Sequence, residues 1–281
     1  MKQPNLTIVI LSYNTSELTL RSVESVLALQ LKCVVVDNHS SDDTIRKLQT
    51  LQDDNLKIIA LQENKGFASG NNVALQKVTT EFVMLLNSDA YFDKETNLLS
   101  IMEYFSQHPE IGVMTPKVVL RNGALDPACH RGFPTPWNAL CYFGKLEKLS
   151  WGFPILNRLF GGYHQTWKDL SIVHEVDACT GAAMLIRKSA MDAVGLLDEQ
   201  FFMYGEDLDW CYRFKKKGWR IVYFPAVIVH HDKHSSGLKK GHSQSTHAFY
   251  EAMKLFYHKH YRHTFLSGLI ITAINFLENR R

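Results

Sequence analysis

The chain opens with short apolar runs that alternate with stretches of helical spacing. "LTIVILSY" (Leu6–Tyr13) is continuous in apolar character, as expected of a parallel strand buried on both faces. The next segment, "SELTLRSVESVLAL", carries Leu18, Val23, Val26 and Leu27 at helical spacing, with Ser16 as the expected N-cap. "KCVVVDNHSSDDT" predicts a second strand ending at Asp37, and Thr44 to Leu51 a helix. "LKIIALQE" predicts a third strand, "NKGFASGNNVALQKV" a glycine-bearing turn entering a helix, and "EFVMLLNSDA" a fourth strand. Repeated strand–helix units favour an α/β fold with a mostly parallel central sheet and helices on its faces.

The periodicity fails between Asp126 and Ile172, where "RGFPTPWNAL" and "SWGFPILNRLFGGYH" are rich in Trp, Phe, Gly and Pro. A long irregular segment in a compact domain is usually a lid or binding loop, and this one is expected to lie over a site; a plain packing insertion is the alternative. Regular pattern returns with "DACTGAAMLIRKSAMDAVG", read as a small-residue turn, a strand and a helix. "FFMYGEDLDWCYRFKKKG" reads as an acidic loop opening a helix, and "WRIVYFPAVIVHHDKHSSG" as two short strands and a histidine cluster. The expected organisation is one catalytic domain over residues 1–237, including the insertion 126–172, then a helical segment over 238–281.

Composition narrows the class. A length of 281 residues with 46% hydrophobic content fits one large globular domain or a domain with an appendage. A net charge of +3 carries no strong signal for a polyanion, so no nucleic-acid partner is expected. Five cysteines without a CxxC pair read as reduced, buried thiols of a cytoplasmic protein. The polar start predicts no signal peptide. "TFLSGLIITAINFL" is too short to span a bilayer.

Ligands of open α/β sheets gather at the carboxyl ends of strands. The polar clusters Ser12-Tyr13-Asn14, Asp37-Asn38 and Asn87-Ser88-Asp89 fall at those ends. Asp37 can accept from a planar N–H edge or a ribose hydroxyl, or else form an Asx-turn or cap. Asp89, at the tip of a buried strand beside Asn87, can hold a divalent cation against a diphosphate. "NKGFASGNN" lacks both GxxxxGK[ST] and GxGxxG, so Asn64, Lys65 and Asn71 are expected to touch a nucleotide without a phosphate loop. Glu206, Asp207 and Asp209 crowd a predicted helix start. Such acids often serve the helix dipole, but one of them in a cleft can act as general base. His230, His231 and His234 match no HExxH spacing, although a histidine after a strand near acids can complete an oxygen-rich metal site.

The ordered motifs "VILSYN", "VVVDNHSSDDT", "ENKGFASGNN", "LLNSDA", "CTGAAMLIRK", "FFMYGEDLDWCYRFKKKGWRI" and "VHHDKHSSG" resemble the inverting family-two nucleotide-sugar glycosyltransferases, particularly their rhamnosyltransferase-like branch. The resemblance covers most of Leu6 to Gly237. It implies a GT-A fold in which Asp37 reads the base or ribose, Asp89 binds Mg2+ or Mn2+, and Asp207 is the catalytic base. His230 would be a further metal or diphosphate contact. Many relatives carry Asp-x-Asp where this chain has Asn87-Ser88-Asp89, which leaves Asp89 with most of the metal contact. Acceptor binding is assigned to Arg131 and Trp137 of the insertion, Thr180 and Gly181 of the small-residue turn, and Glu206. The implied donor is dTDP-L-rhamnose, and the implied acceptor a saccharide linked to a polyprenyl diphosphate.

Two other readings compete. A sugar nucleotidyltransferase would want a basic glycine-rich loop near the N-terminus, which "SYNTSELTLR" does not supply. A non-catalytic nucleotide-sugar-binding protein would not need Asp37, Asp89, Glu206-Asp207 and His230 together. The C-terminal segment places Phe249, Met253, Phe256 and Tyr257 near one helical face, with Lys254, His258, Lys259 and Arg262 close by. That pattern suits an interfacial helix on the inner face of the cell membrane, joined by Trp137 and Trp151 of the insertion. It equally suits packing on the catalytic domain or a homodimer contact.

Overall fold

The computed structural model describes residues 5–150, 152–233 and 242–278. Trp151, His234, Arg280, Arg281 and the expected boundary at residue 237 lie outside them. The strands are β1 (Leu6–Ser12), β2 (Lys32–Asp37), β3 (Leu56–Ala60), β4 (Phe82–Asn87), β5 (Ala90–Tyr91), β6 (Ile111–Leu120), β7 (His174–Val176), β8 (Ala183–Arg187) and β9 (Arg220–His231). The helices are α1 (Ser16–Ala28), α2 (Thr44–Leu48), α3 (Gly66–Leu75), α4 (Leu98–Gln107), α5 (Pro136–Phe143), α6 (Leu146–Leu149), α7 (Pro154–Phe160), α8 (Lys188–Val194), α9 (Glu206–Lys216), α10 (His242–His260) and α11 (Phe265–Glu278).

One sheet organises the chain in the order β3-β2-β1-β4-β8-β6-β9-β5, with β7 on β9. The first four strands pair in parallel, as the apolar runs of β1, β2 and β4 predict, with half-buried β3 at the sheet edge. Beyond β4 the sheet is mixed: β8 is antiparallel to both β4 and β6, while β6 and β9 are parallel. β4 sits in mid-sheet between β1 and β8 and is buried along Phe82–Leu86. Its last residues are thereby fixed from both sides.

Three local features differ from the pattern reading. The cap of α1 is Thr15, and the backbone N–H of Ser16 donates instead to Asp42 Oδ2 at 3.0 Å. β9 is one strand rather than two. The register on β6 jumps from Pro116↔Phe224 to Lys117↔Ile228, so Pro225, which has no N–H to donate, sits in a bulge. The insertion contains α5, α6 and α7, packed on one another and, through α5, on α11.

The amphipathic face of α10 turns toward protein. Phe256 and Tyr257 are buried, Phe256 against Phe201 and Tyr257 against Ile274 of α11. The Tyr257 hydroxyl donates to Pro134 O at 2.6 Å. His260 Nε2 and Lys259 Nζ both bond Asp209 Oδ1 at 2.7 Å. Of the two readings of this face, packing on protein holds for Phe256 and Tyr257, which are covered by Phe201, α9, the insertion and α11, while Phe249 stays about half exposed.

Candidate active site

The β1–β3 end of the sheet carries most of the residues assigned to the donor, and nearly all are bonded within the protein. Ser12 Oγ shares a 2.7 Å hydrogen bond with Thr19 Oγ1, and Thr15 Oγ1 donates to Ser88 Oγ at 3.1 Å. Asn14 adopts φ +53° and accepts from Ser41 N at 2.7 Å. Asn38 donates to Asn64 Oδ1 at 2.8 Å and accepts from Lys65 N at 2.9 Å, tying β2 to the loop before α3. Asn71 is buried and donates back to Phe67 O. Asp37 is the exception. Its Oδ2 accepts from Ser40 N at 3.0 Å, which is the local turn bond anticipated, while its buried Oδ1 has no partner among the described residues. The two readings of Asp37 are therefore compatible: one oxygen holds the turn, and the other is buried with its acceptor capacity unused among the described residues. Tyr13 is exposed beside it, and Lys65 reaches only the nearby Glu63.

Asp89 follows β4 and is buried. His231 Nε2 lies 3.2 Å from Asp89 Oδ1, and His231 Nδ1 lies 3.2 Å from Asp126 Oδ2. Asn87 Nδ2 approaches the same Nε2 at 3.5 Å. Burial alone would push the His231 imidazole down, but Asp126 and Asp89 outweigh it and hold the pKa up to about 9. Asp126 is held well below the usual carboxylate range by His231 and Lys233 despite its burial. His230 points elsewhere. Its Nε2 donates to Asp93 Oδ2 at 2.8 Å, and the ring stacks on Tyr91 and lines a separate surface cavity with Arg21, Arg121 and Asp232. Successive strand residues face opposite sides, so the one-residue difference moves His230 away from Asp89 and brings in His231.

Asp89, Asn87 and His231 suit a divalent cation that is shared with a diphosphate. They offer a carboxylate, an amide and an imidazole at one strand tip, and leave coordination positions for phosphate oxygens. Ligation by His231 would require loss of its proton. The one three-ligand cluster among the described residues, His247, Glu251 and Glu278, is on the α10–α11 surface and already holds the Lys254 ammonium.

The start of α9 separates its acids. Gly205 at φ +79° makes the turn, where a Cβ would lie 3.1 Å from Phe201. Asp207 points into the cleft, with Oδ2 accepting from Arg131 Nη2 at 2.8 Å and from Gly181 N at 3.3 Å, and Oδ1 from Leu208 N at 2.7 Å. Arg131, assigned to the acceptor, thus pairs with the acid assigned as base; burial works against its charge, and Asp207 more than restores it. Burial and then Asp207 push Glu206 up to about 8, and its buried Oε2 has no partner among the described residues. Burial and the neighbouring Asp207 carboxylate thus favour the protonated form of Glu206. Asp209 faces away, buried and bonded to Arg213, Lys259 and His260; these bonds overcome desolvation and lower it to about 2.

A cavity of about 480 Å³ joins these groups. Asn87, Asp89 and His231 form one wall, and Arg131, Thr180, Gly181, Glu206 and Asp207 another. Phe249, Met253 and Phe256 of α10 close a third, apolar side. Trp137 does not line it; its indole N–H donates to Leu159 O at 2.9 Å and braces α5 on α7. The residues missed from sequence are His231, Asp126, Lys233, Tyr163 and the α10 wall. His231 had a signal in the alternation Val227, Val229, His231, all buried on one side of β9. The others are brought in by contacts distant in sequence, which leave no local pattern.

The sheet, with acids at its strand ends and at the start of α9, defines an α/β class with a polar cleft at the carboxyl ends of its strands, and comparison with known proteins supplies the family. The chain belongs to the family described as glycosyltransferase like family 2, which matches residues 4–250. It is 28% identical over 235 residues to the low-salt glycan biosynthesis hexosyltransferase Agl10 of Haloferax volcanii, covering 82% of this chain and 67% of that protein. It is 25% identical over 227 residues to the poly-beta-1,6-N-acetyl-D-glucosamine synthase of Staphylococcus aureus, covering 79% of this chain and 48% of the synthase. Its fold is similar to the mannosyltransferase PcManGT of Pyrobaculum calidifontis in complex with GDP-Man and Mn2+, with TM-score 0.59 at 18% identity over 94% of this chain and 66% of that one. The GT-A fold expected from the motifs is the fold observed.

Proposed function

We propose that the protein transfers a sugar from a nucleotide-sugar donor to a saccharide hydroxyl by a single inverting displacement. The observation that carries this reading is one cavity holding a cation-competent strand tip, Asn87-Asp89-His231, and a cleft-facing carboxylate, Asp207. In the proposed reaction Asp207 takes the proton of the acceptor hydroxyl as that oxygen attacks the anomeric carbon. The bond from that carbon to the diphosphate oxygen breaks, and the nucleoside diphosphate leaves on the opposite face. Arg131 and the Gly181 N–H orient Asp207. Asp37 Oδ1 accepts from the base or ribose, and exposed Tyr13 offers a face to the base. Mg2+ or Mn2+ bound through Asp89 and His231 would supply Lewis-acid stabilisation of the departing diphosphate.

The donor proposed from the rhamnosyltransferase-like motifs is dTDP-L-rhamnose. The acceptor proposed is a polyprenyl-diphosphate-linked saccharide of cell-surface polysaccharide assembly, met at the cytoplasmic face of the membrane. The apolar α10 side of the cavity supports an acceptor with an apolar portion. Among the described residues no helix is long and apolar enough to cross a membrane, so the proposed association is peripheral. The test is release of nucleoside diphosphate from a panel of nucleotide sugars, with Mn2+, with and without lipid-linked acceptors. Acceptor-dependent release from dTDP-L-rhamnose above the other donors is expected. Acceptor-dependent release from a different donor would replace the sugar, and binding without turnover of any donor would contradict the reaction.

A further inference from the structure

We propose that the outer face of α5, α6 and α7 is a docking surface for an anionic lipid bilayer, an assignment that rests on the membrane placement above and gives it a location. The face is unusually apolar for one open to water: Leu149 is 74% exposed, Phe153 61% and Ile155 83%, with Leu140 and Leu159 each more than half exposed. Neighbouring exposed apolar side chains of this size mark contact with another apolar phase. The elements that carry them pack together, and α5 rests on α11, which adds exposed Leu269 and Phe276.

Charge selects the occupant. Lys145, Lys148 and Arg158 are exposed on the same three-helix segment, and none forms an ion pair with a described residue. The only acid between residues 135 and 168 is Glu147, which is buried and bonded to His164 at 2.9 Å. Exposed apolar side chains interspersed along the segment with bases that meet no described acid are complementary to an anionic headgroup layer above acyl chains. A second copy of the chain suits it poorly, because a two-fold contact would set the same three bases against themselves with no acid to meet them. The surface also adjoins the chemistry. Pro134, just before α5, and Tyr163, just after α7, line the catalytic cavity.

The test is flotation of the full chain on vesicles of phosphatidylcholine with or without phosphatidylglycerol, at low and high salt, beside turnover of a soluble acceptor analogue. Wild-type protein is expected to float with the anionic vesicles and to release as salt rises. L149E/I155E, and separately K145E/K148E/R158E, should each cut the bound fraction about tenfold or more, with turnover in solution unchanged. Both variants alter exposed side chains, and unchanged turnover reports an intact fold. Wild-type protein that turns over but does not float overturns the surface, as does equal flotation of wild type and both variants. A dimer in solution that both variants dissociate, without flotation, overturns it in favour of self-association. Flotation lost in the variants, from a wild-type protein that transfers no sugar, would uphold the surface and sink the functional reading instead.

Discussion

The strand ends of β1–β3 and the cavity beside α9 handle polar groups in opposite ways. On the β1–β3 side, Ser12, Asn14, Asn38, Asn64 and Asn71 are bonded to neighbouring loops and helices, and Asp37 Oδ1 is the one buried oxygen there without a described partner. On the cavity side, charges are held against one another: Arg131 on Asp207 at the start of α9, and His231 between Asp89 and Asp126 at the strand tip, with Glu206 pushed toward its protonated form by burial and Asp207. The first arrangement fixes a shape; the second concentrates electrostatic energy where a proton and a leaving group would move. A polar residue at a strand end is thus no guide to its task until its partners are known.

The largest effect should come from Asp207→Asn. Turnover is expected to fall about a thousandfold, the scale of a lost general base, while donor affinity by calorimetry stays within about threefold. Near wild-type turnover would remove Asp207 from that role. Asp209, two residues after Asp207 and turned away from the cavity, provides the contrast. Its carboxyl is lowered from 3.8 to about 2, so its ion pairs stabilise the fold fully above pH 4 and lose that contribution as pH falls toward 2. Chemical denaturation against pH should show wild type losing about 2 kcal/mol over that window. Asp209→Asn should be destabilised already at pH 7 and lack that dependence. An unchanged midpoint would show that the α9–α10 contact does not rest on Asp209.

Smaller effects should sharpen the division. Asp37→Asn keeps an acceptor for Ser40 N but presents an amide N–H to the ligand, so KM for the donor should rise about tenfold with kcat little changed. A fall in kcat at constant KM would place Asp37 in the chemical step. Glu206→Gln should be the mildest. Burial and Asp207 favour the protonated form of Glu206, and an amide of the same shape should leave turnover near pH 7 within about threefold. Above pH 8 wild type should diverge from the variant as Glu206 ionises. A loss as deep as that of Asp207→Asn would mean that Glu206 takes the proton.

What the sequence disclosed follows from the same physics. β1, β2 and β4 were legible because strands buried on both faces are near-continuous apolar runs, while β3, half-buried and carrying Lys57, was legible from its Ile58-Ile59 pair between turn signals. Asp89 and Asp207 stood out as acids following an apolar strand and opening a helix, and the structure places both on one cavity. β6 escaped the pattern because Gly112 and Pro116 interrupt it, and Pro225 made β9 look like two strands. The apolar stripe of α10 was visible, but a stripe cannot say whether protein or lipid covers it; Tyr257 on Pro134 decides for protein. Arg131 on Asp207 joins residues 76 apart in the chain, and no local spacing encodes it.

The central claim is that Asp89 and His231 form the floor where the two sides meet. It is tested most directly by titrating a nucleoside diphosphate into wild type, His231→Ala and His230→Ala, with and without Mn2+. The account predicts that His231→Ala loses Mn2+-dependent affinity by about tenfold or more, while His230→Ala, which faces the outer cavity, retains it. Loss in His230→Ala with His231→Ala unaffected would contradict it.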